Sequence, residues 1–537
     1  MPKAARRFVT GLLALVTLIV TACAPGTMAQ EAPARHKIIY GLTLQPSGFD
    51  PHVHASSELG IPLRQVYDTL VYRDPTTLEF VPGLATSWEI SPDGLVYTFA
   101  LRQGVTFHDG TPFNAQAVAA NLDRITSPDT GSQKAVFMLG PYSGYEIVDD
   151  YTIRIILGVP YSPLLDSLSQ VYLGMASPAA FNAVSRDRYQ FHQVGTGPFM
   201  FVEYVPGDRL VIRRSQTYNW APEFYRPQIG TSVDEVEFRF YTESPAARAI
   251  ALESDDAQIM GELLPTDARV LTGNSDIRLF PVTVPGQPLQ FMMNTTVYPT
   301  DDLRVRQALI YGTNREAIVD AVFQRFSPVA YGPLSATTLF YARSVSGMYA
   351  YDPGQARTLL AEAGFADSDS NGYVDQNGVD IEVKLIVPPW GLIPDVATLI
   401  QDQWRTIGVK ATLIPVPSRN LLVEAVSGGD YNLVAFYSFG VDPALLNDYY
   451  LSTGSLNWMH INDPNLDAAL QEAARQPDQN VRREVYTRIQ QYIMEQAFIL
   501  PIRDYVNLNG ARSSIEGLAF DAYGWFPLLP NVTELEG

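Results

Sequence analysis

An acidic stretch near the middle of the chain has the residue types and the spacing of a calcium-binding loop. Four oxygen-bearing side chains occupy ligand positions within its first nine residues: Asp367, Asp369, Asn371 and Asp375. The twelfth position of such a loop normally supplies a glutamate that binds the ion through both carboxylate oxygens. Gly378 stands there instead, and a strand pattern begins at Ile381 where a helix should follow. We therefore expect an acidic turn without a metal; loss of thermal stability in chelator would indicate calcium.

A second group of side chains is suited to contact with an organic solute. Phe436, Tyr437, Ser438 and Phe439 are consecutive, and Trp390 follows a pair of prolines at the end of a predicted strand. Aromatic faces with a few hydroxyl groups can stack on sugars or enclose the side chains of a peptide. Burial of each ring in a hydrophobic core is the alternative explanation.

Motifs typical of enzymes and of metal or nucleotide sites are missing from the sequence. There is no G-x-S-x-G nucleophile elbow, no H-E-x-x-H zinc motif and no G-x-x-x-x-G-K-[ST] phosphate loop. His52 and His54 supply two imidazoles but no third ligand, so we predict no metal site and no cofactor. A pair of glycosidase carboxylates is harder to recognise among 57 acidic residues. A secreted hydrolase therefore stays open as an alternative to a binding protein.

The only cysteine of the chain, Cys23, follows a short apolar segment near the N-terminus. Lys3, Arg6 and Arg7 precede the apolar run Phe8–Val20, which is the pattern of a secretory signal. The run is shorter than the ~20 residues that cross a bilayer. The sequence V-T-A-C resembles a bacterial lipobox, which implies cleavage before Cys23 and a lipid on its thiol. We expect a signal peptide over residues 1–22 and a flexible tether over 23–34.

Charge and composition exclude several classes of protein. The formal net charge is −20, from 37 basic and 57 acidic residues; without the three basic residues of the leader, 34 remain against 57, giving −23. Nucleic-acid binding needs a basic surface, so we expect no nucleic-acid partner. With one cysteine, no intramolecular disulfide and no cysteine cluster for zinc can form.

Hydrophobic periodicity predicts alternating strands and helices. Tyr97, Phe99 and Leu101 alternate as in a strand, and Asn114 is placed to cap the following helix. A strand from Ile381, a helix and a second strand over Val409–Val416 predict a β-α-β crossover with parallel strands. Further helices are predicted over Leu303–Tyr311, Pro353–Ala363 and Val481–Met494. This pattern favours a mixed α/β fold.

Seven segments, in order along nearly the whole mature chain, resemble the family 5 extracytoplasmic solute-binding proteins. These proteins are the peptide, nickel and oligosaccharide receptors of ABC importers. The most specific segment is GLATSWEISPDGLVYTFALRQGVTFHDGTPF from Gly83. The other six are FDPH from Phe49, GTGPF from Gly195, DLRVRQALIYGTNREAI from Asp302, YDPGQARTLLAEAGF from Tyr351, the β-α-β unit from Ile381, and NDPNLDAALQEA from Asn462.

The resemblance implies a two-lobed fold of the type II periplasmic binding proteins, with an inserted third subdomain and a hinge. Lobe I would comprise residues 35–83, 195–282 and 501–537, the inserted subdomain 84–194, and lobe II 283–500. The lobes would close over a small solute and present it to a membrane permease. The implied receptor is a monomer, is not an enzyme, and is held outside the cytoplasm by the lipid on Cys23, on the periplasmic side if the cell has an outer membrane.

The resemblance also suggests where the solute binds. In peptide-binding members an aspartate in the loop after a lobe II strand pairs with the α-amino group of the peptide. The matching loop here offers no acid at that position, although Asp442 lies beside it; Gln45 corresponds roughly to a position that lines the cleft from lobe I. An unpaired ammonium in a closed cleft is costly, which argues against a free peptide N-terminus bound in the usual way. Peptide-like solutes are the first expectation, oligosaccharides the second.

Overall fold

The structure, a computed structural model, describes residues 36–43, 45–225, 231–242 and 244–535. The predicted signal peptide, the tether and Cys23 lie outside the described residues. The described α-helices span Gly60–Val66, Ala115–Thr126, Ala135–Met138, Leu164–Ser167, Pro178–Ala183, Arg186–Tyr189, Pro245–Glu253, Pro265–Leu271, Leu303–Tyr311, Arg315–Phe323, Pro353–Glu362, Ile393–Arg405, Arg419–Gly428, Asn447–Tyr450, Pro464–Arg475 and Gln479–Glu495. Short 3-10 helices span Pro128–Thr130, Val171–Leu173, Arg343–Val345, Pro443–Leu446 and Leu529–Asn531.

A seven-stranded mixed sheet, here called the first sheet, is assembled from distant parts of the chain. Its strands in spatial order are Ile277–Thr283, Val506–Arg512, Ile259–Met260, Lys37–Leu42, Glu235–Phe240, Arg209–Arg214 and Phe199–Val205. Lys37–Leu42 runs parallel to both of its neighbours. The sheet therefore unites the N-terminal, central and C-terminal parts of the described residues.

A five-stranded sheet, the second sheet, contains the predicted β-α-β unit. Its spatial order is Lys410–Pro415, Glu382–Val387, Leu433–Phe439, Gly286–Met293 and Ile499–Arg503. The first two strands pair in parallel, with the helix Ile393–Arg405 between them in sequence, as predicted. Val396, Ile400 and Trp404 of that helix are buried, so its apolar face packs into the core as its periodicity requires.

A four-stranded antiparallel sheet carries the strand, turn and capped helix read from the sequence. Its order is Ala85–Ile90, Val96–Leu101, Thr152–Leu157 and Tyr142–Asp149. Tyr97, Phe99 and Leu101 are buried, and the Asn114 side chain accepts a hydrogen bond from the Ala117 amide at 3.0 Å. Smaller sheets pair Val71–Arg73 with Phe80–Pro82, Asp375–Gln376 with Val379–Asp380, and Thr533–Glu534 with both Thr231–Ser232 and Ile515–Glu516.

Two neighbouring connections join the first and second sheets. One links Thr283 to Gly286 and the other links Arg503 to Val506. The Val284 amide donates a 2.8 Å hydrogen bond to the Tyr505 carbonyl, so the two connections lie side by side. A pair of short adjacent connections between two packed bodies is the arrangement of a hinge.

Separate hydrophobic cores support the two main sheets. One core packs the first and four-stranded sheets with the C-terminal segment, a second surrounds the second sheet, and a smaller third covers the other face of the first sheet. Separate cores allow two bodies to move without disrupting either interior. Among the described helices, none combines the length and the apolar character needed to span a bilayer.

Candidate functional site

A cavity of about 520 Å3 lies between the first and second sheets, beside the two connections. One side of the cavity is formed by residues near the first sheet, among them Thr43, Glu262 and Asn507. The other side is formed by residues near the second sheet, including Trp390 and Tyr437. Binding pockets for small molecules commonly form between such bodies and have volumes of roughly 300–1,000 Å3. This cavity is the candidate site.

Four aromatic rings form one continuous wall of the cavity. The centroid of the Tyr505 ring lies 5.1 Å from that of Tyr437 and 4.9 Å from that of Phe439. Trp525 adds a ring 5.1 Å from Phe439. These spacings are those of favourable aromatic pairs, so the wall is a preformed apolar surface for a solute.

The four consecutive residues proposed from the sequence do not all face this wall. Tyr437 and Phe439 line the cavity, whereas the Phe436 ring packs 5.0 Å from that of Trp458 in the core of the second sheet. The Ser438 hydroxyl accepts a hydrogen bond from the Gln287 side chain at 3.2 Å. Successive side chains of a strand point to opposite faces, and all four belong to the strand Leu433–Phe439. Only alternate members can therefore contact one solute.

Trp390 lines the same cavity from the loop after the strand Glu382–Val387. Gly391 follows it with a φ of +64°, and a Cβ built on Gly391 would lie 2.9 Å from Cε1 of Tyr437. Glycine is therefore required for this loop to approach the Tyr437 ring.

Two arginines bring buried positive charge to the cavity without a matching carboxylate. Arg248 is 8% exposed and Arg503 is 5% exposed. Among the described residues, Nε of each lacks a hydrogen-bond acceptor, and neither guanidinium has a carboxylate oxygen within 4.0 Å. Arg503 donates to the Ser327 hydroxyl at 3.1 Å and lies 4.4 Å from the centroid of the Tyr505 ring. Burial lowers the pKa of both arginines, because a buried charge loses its hydration.

Two glutamates line the cavity from the side of the first sheet. Glu262 accepts a hydrogen bond from the Thr43 hydroxyl, and its Oε1 lies 3.5 Å from the Tyr505 hydroxyl oxygen. Burial raises the pKa of Glu262. Its φ of +46° is in the left-handed region, which is strained for a residue other than glycine and occurs preferentially at functional sites. Glu58 is held by the hydroxyls of Ser56 and Ser57.

Gln45 is not among the residues that line this cavity. Its side-chain amide donates to the Tyr204 hydroxyl at 2.9 Å, and its carbonyl oxygen accepts from the Gly207 amide at 2.6 Å. Both partners belong to the hairpin around the strands Phe199–Val205 and Arg209–Arg214. Because both its amide nitrogen and its carbonyl oxygen are hydrogen-bonded to the hairpin, Gln45 connects the N-terminal loop to it.

Asp442 lies at a different place in the fold and already has a strong partner. Its two carboxylate oxygens accept hydrogen bonds of 2.8 and 2.6 Å from the Arg482 guanidinium, and both side chains are buried. Burial opposes the charge of Asp442, but Arg482 outweighs this and lowers the pKa of the carboxyl. Asp442 lines a second cavity, near Tyr161 and Phe340. A bidentate pair of this kind is not available to a solute ammonium in the first cavity.

The acidic loop uses its carboxylates to hold its own backbone. Asp367 accepts hydrogen bonds from the amides of Asn371 and Gly372, Asp369 from that of Asn371, and Asp375 from those of Ser368 and Gly378. Within the described residues no group of three or more His, Cys, Asp or Glu side chains is arranged to hold a metal ion. The loop remains a predicted acidic turn.

Sequence reasoning missed all four charged residues that line the cavity. Glu58, Arg248 and Glu262 come from separate segments, and no local motif links them. A signal did exist for Arg503: the stretch ILPIRDYVNL reads as a strand interrupted by two charged residues. Burying charged groups in an otherwise apolar strand costs free energy. Their presence there therefore indicates a function.

Comparison with known proteins identifies the relatives of this chain. The family described as "Bacterial extracellular solute-binding proteins, family 5 Middle" matches residues 79–459. The chain is 28% identical to the dipeptide-binding protein of Escherichia coli (strain K12), covering 93% of this chain and 94% of that protein. It is 30% identical to the glutathione-binding protein GsiB of Salmonella typhimurium (strain LT2), covering 78% and 79%.

A solved structure shares the fold over most of this chain. NikA from Brucella suis, crystallised in complex with Fe(III)-EDTA, superposes with a TM-score of 0.82 at 22% identity, covering 93% of this chain and 99% of NikA. The mixed α/β, two-lobed architecture is therefore that of the periplasmic binding proteins, as predicted. The chain belongs to family 5 of the bacterial extracellular solute-binding proteins.

Proposed function

We propose that this protein is the receptor of an ABC importer and that it captures a peptide-like solute in the cavity between the two sheets. The observation that carries the proposal is the convergence on one cavity of an aromatic wall and buried charges from both sides. Relatives named for dipeptide and glutathione binding make a peptide-like solute the first candidate. The receptor would deliver the solute unchanged to a membrane permease.

Lobe boundaries at 35–83, 195–282 and 501–537 for lobe I, 84–194 for the inserted subdomain and 283–500 for lobe II are part of this proposal. They assign the first sheet to lobe I apart from Thr283, the four-stranded sheet to the insertion, and the second sheet to lobe II apart from Pro501–Arg503, because the boundary at 500/501 falls within the strand Ile499–Arg503. The hinge in this proposal is the pair of connections Thr283–Gly286 and Arg503–Val506, which lie shortly after these two boundaries.

Closure follows from the differential affinity of the two states. A solute shifts an open–closed equilibrium only to the extent that it binds the closed state better. The aromatic wall includes Tyr437 from the second sheet and Tyr505 from the connection, while Glu262 contributes from the other side. A solute touching all three gains its full contacts only when the sides approach. Micromolar capture would correspond to about 8 kcal/mol.

The place of action in this proposal is the outer face of the cell membrane. Removal of residues 1–22 and acylation of Cys23 would leave a monomer tethered through residues 23–34. Tethering raises its effective concentration near the permease. An intact mass showing the processed chain plus a diacylglycerol, absent in Cys23→Ser, tests this step.

The sequence also allows an oligosaccharide receptor and a secreted hydrolase, and the charges of the cavity bear on the first of these. A neutral oligosaccharide would use the aromatic wall but would leave Arg248 and Arg503 buried without a carboxylate in direct contact, which is unfavourable. A secreted hydrolase would turn its solute over. We propose binding without catalysis.

Native mass spectrometry of freshly purified protein tests the proposal directly. We expect one bound peptide-like solute per chain, released on denaturation with an unchanged mass. Small-angle scattering should give a larger radius of gyration after its removal. A neutral sugar, or hydrolysed fragments that appear with time, would contradict the proposed class or the absence of catalysis.

A further inference from the structure

The second cavity, beside Asp442, has a volume of about 400 Å3 and lies between the four-stranded sheet and the body of the second sheet. Tyr97 and Tyr161 line it from the side of the four-stranded sheet, and Phe340 and Asp442 line it from the other side. Its volume is within the range of small-molecule pockets, and it shares no lining residue with the candidate site. Capture of a solute in the first cavity makes no use of it.

Hydrogen bonds join the two sides of this cavity at Ser162, one of its lining residues. The Ser162 amide donates to the Ala474 carbonyl at 2.9 Å, and the Ser162 hydroxyl donates to the Gln476 carbonyl at 2.6 Å. Both carbonyls lie at the C-terminal end of the helix Pro464–Arg475, where backbone carbonyls have no partner within the helix. A molecule in the second cavity is therefore held between segments that already contact each other.

The second cavity is lined by four arginines: Arg73, Arg475, Arg482 and Arg483. Two of them, Arg73 and Arg482, each pair with a buried aspartate. The other two are exposed, and neither has a carboxylate oxygen within 4.0 Å among the described residues. Apart from Asp442, which Arg482 already engages, the one acid among the described lining residues is the exposed Glu79. The lining therefore carries a net positive charge in a chain whose formal net charge is −20.

Phe340 provides an apolar surface beneath one of the two unpaired guanidinium groups. Cζ of Arg483 lies 4.8 Å from the centroid of the Phe340 ring. Phe340 is buried and has a φ of +61°, in the left-handed region that is strained for a bulky residue and occurs preferentially at functional sites. The buried Gln490 amide donates to the Phe340 carbonyl at 2.9 Å and accepts from the Ala342 amide at 3.0 Å. These two hydrogen bonds hold the strained residue in place.

We propose that the second cavity is a binding site for a small aromatic carboxylate, separate from the site of solute capture. The carboxylate pairs with the guanidinium groups of Arg475 and Arg483, and the ring lies against Phe340 and Tyr161. An arginine matches a carboxylate through two parallel hydrogen bonds and also stacks on aromatic faces. An inorganic anion would use the arginines without the apolar surface, and a neutral aromatic molecule would leave the arginines unpaired. The site therefore favours a ligand that has both features.

Isothermal titration of the purified protein with 2-naphthoate, with its neutral isostere 2-naphthamide and with inorganic sulfate tests the ligand class. We expect 2-naphthoate to bind with a Kd of about 1 mM or below. The amide and sulfate should bind roughly tenfold more weakly or less, because the amide lacks the charged hydrogen bonds and sulfate lacks the ring contact. Binding of 2-naphthoate that is undetectable, or that equals the binding of the amide or of sulfate, would overturn the proposal.

A double variant, Arg475→Gln with Arg483→Gln, locates the carboxylate. Both side chains are exposed and unpaired, so the variant should fold, and its affinity for 2-naphthoate should fall roughly tenfold, to that of the amide. Arg488→Gln changes an exposed arginine on the same helix as Arg483, Gln479–Glu495, that does not line the cavity; as the matched control it should leave the affinity unchanged. Loss of 2-naphthoate binding in Arg503→Gln, with binding retained in the double variant, would place the anion in the first cavity and overturn the proposal.

Discussion

The cavity of the candidate site and the cavity beside Asp442 differ in how their buried arginines are paired. In the second cavity Arg482 pairs with Asp442 at 2.6 Å and Arg73 with Asp166 at 2.8 Å. In the first cavity Arg248 and Arg503 have no such carboxylate among the described residues. Chemically similar side chains thus serve two different purposes.

This difference in pairing distinguishes arginines that stabilise the fold from arginines that are available to bind a solute. A buried ion pair whose lone pairs and protons are satisfied holds segments together, and removing one partner is strongly destabilising. An unsatisfied buried charge is retained at a cost in stability, which is typical of functional sites. The sequence shows an arginine at each of these positions. Only the partners seen in the structure separate an arginine that holds segments together from one that binds a solute.

The largest effect should follow from breaking the satisfied pair. Arg482→Gln leaves Asp442 buried without its counter-charge, and we expect the free energy of unfolding to fall by about 3–5 kcal/mol. Arg503→Gln, the matched change in the first cavity, should cost less than about 1 kcal/mol because no carboxylate is left unpaired. Urea unfolding of the two variants measures the contrast. Equal losses would remove the distinction between the cavities.

Neighbouring residues of one strand provide the next test. Phe436→Ala empties a position in the core of the second sheet and should lower unfolding stability by about 3–4 kcal/mol, with solute affinity changed mainly through folding. Tyr437→Ala removes part of the aromatic wall and should weaken solute binding roughly tenfold or more while costing less stability. Calorimetric titration and thermal unfolding of both variants separate the roles. A reversed pattern would place the opposite face of the strand in the site.

The smallest effect concerns the hinge. Burial raises the pKa of Asp504 to about 6, so ionisation of this carboxyl opposes folding. The contribution of protonated Asp504 to the free energy of unfolding is fully present below about pH 4, the usual pKa range of an aspartate. This contribution is lost as the pH rises to about 6, because the unfolded chain ionises at a lower pH than the folded protein. Asp504→Asn does not titrate; its stability relative to the parent should therefore rise between pH 4 and 7, by at most about 2–3 kcal/mol.

Thermal unfolding at several pH values provides this measurement, with the exposed Asp301→Asn as the control. A difference between parent and Asp504→Asn that stays constant from pH 4 to 7 would contradict the raised pKa.

Local patterns predicted the elements well because each is decided by nearby residues. The helix Leu303–Tyr311 has the bounds read from the sequence, and the β-α-β unit has parallel strands as predicted. The alternation of side chains along a strand also implies that Phe436 and Phe439 cannot face the same solute. Glu262 and Arg503 escaped detection because 240 residues separate them along the chain. Their proximity depends on how the two sheets pack, which no local pattern records.

If a solute is held between two bodies that close upon it, the distance across the cleft must shorten when the solute binds. Spin labels on Val270→Cys and Val379→Cys, both exposed positions near different cores, with Cys23→Ser removing the native thiol, would report that distance by double electron–electron resonance. We predict a shorter, narrower distance distribution with the co-purified solute bound than after its removal. Identical distributions in both states, with the solute still bound, would contradict closure.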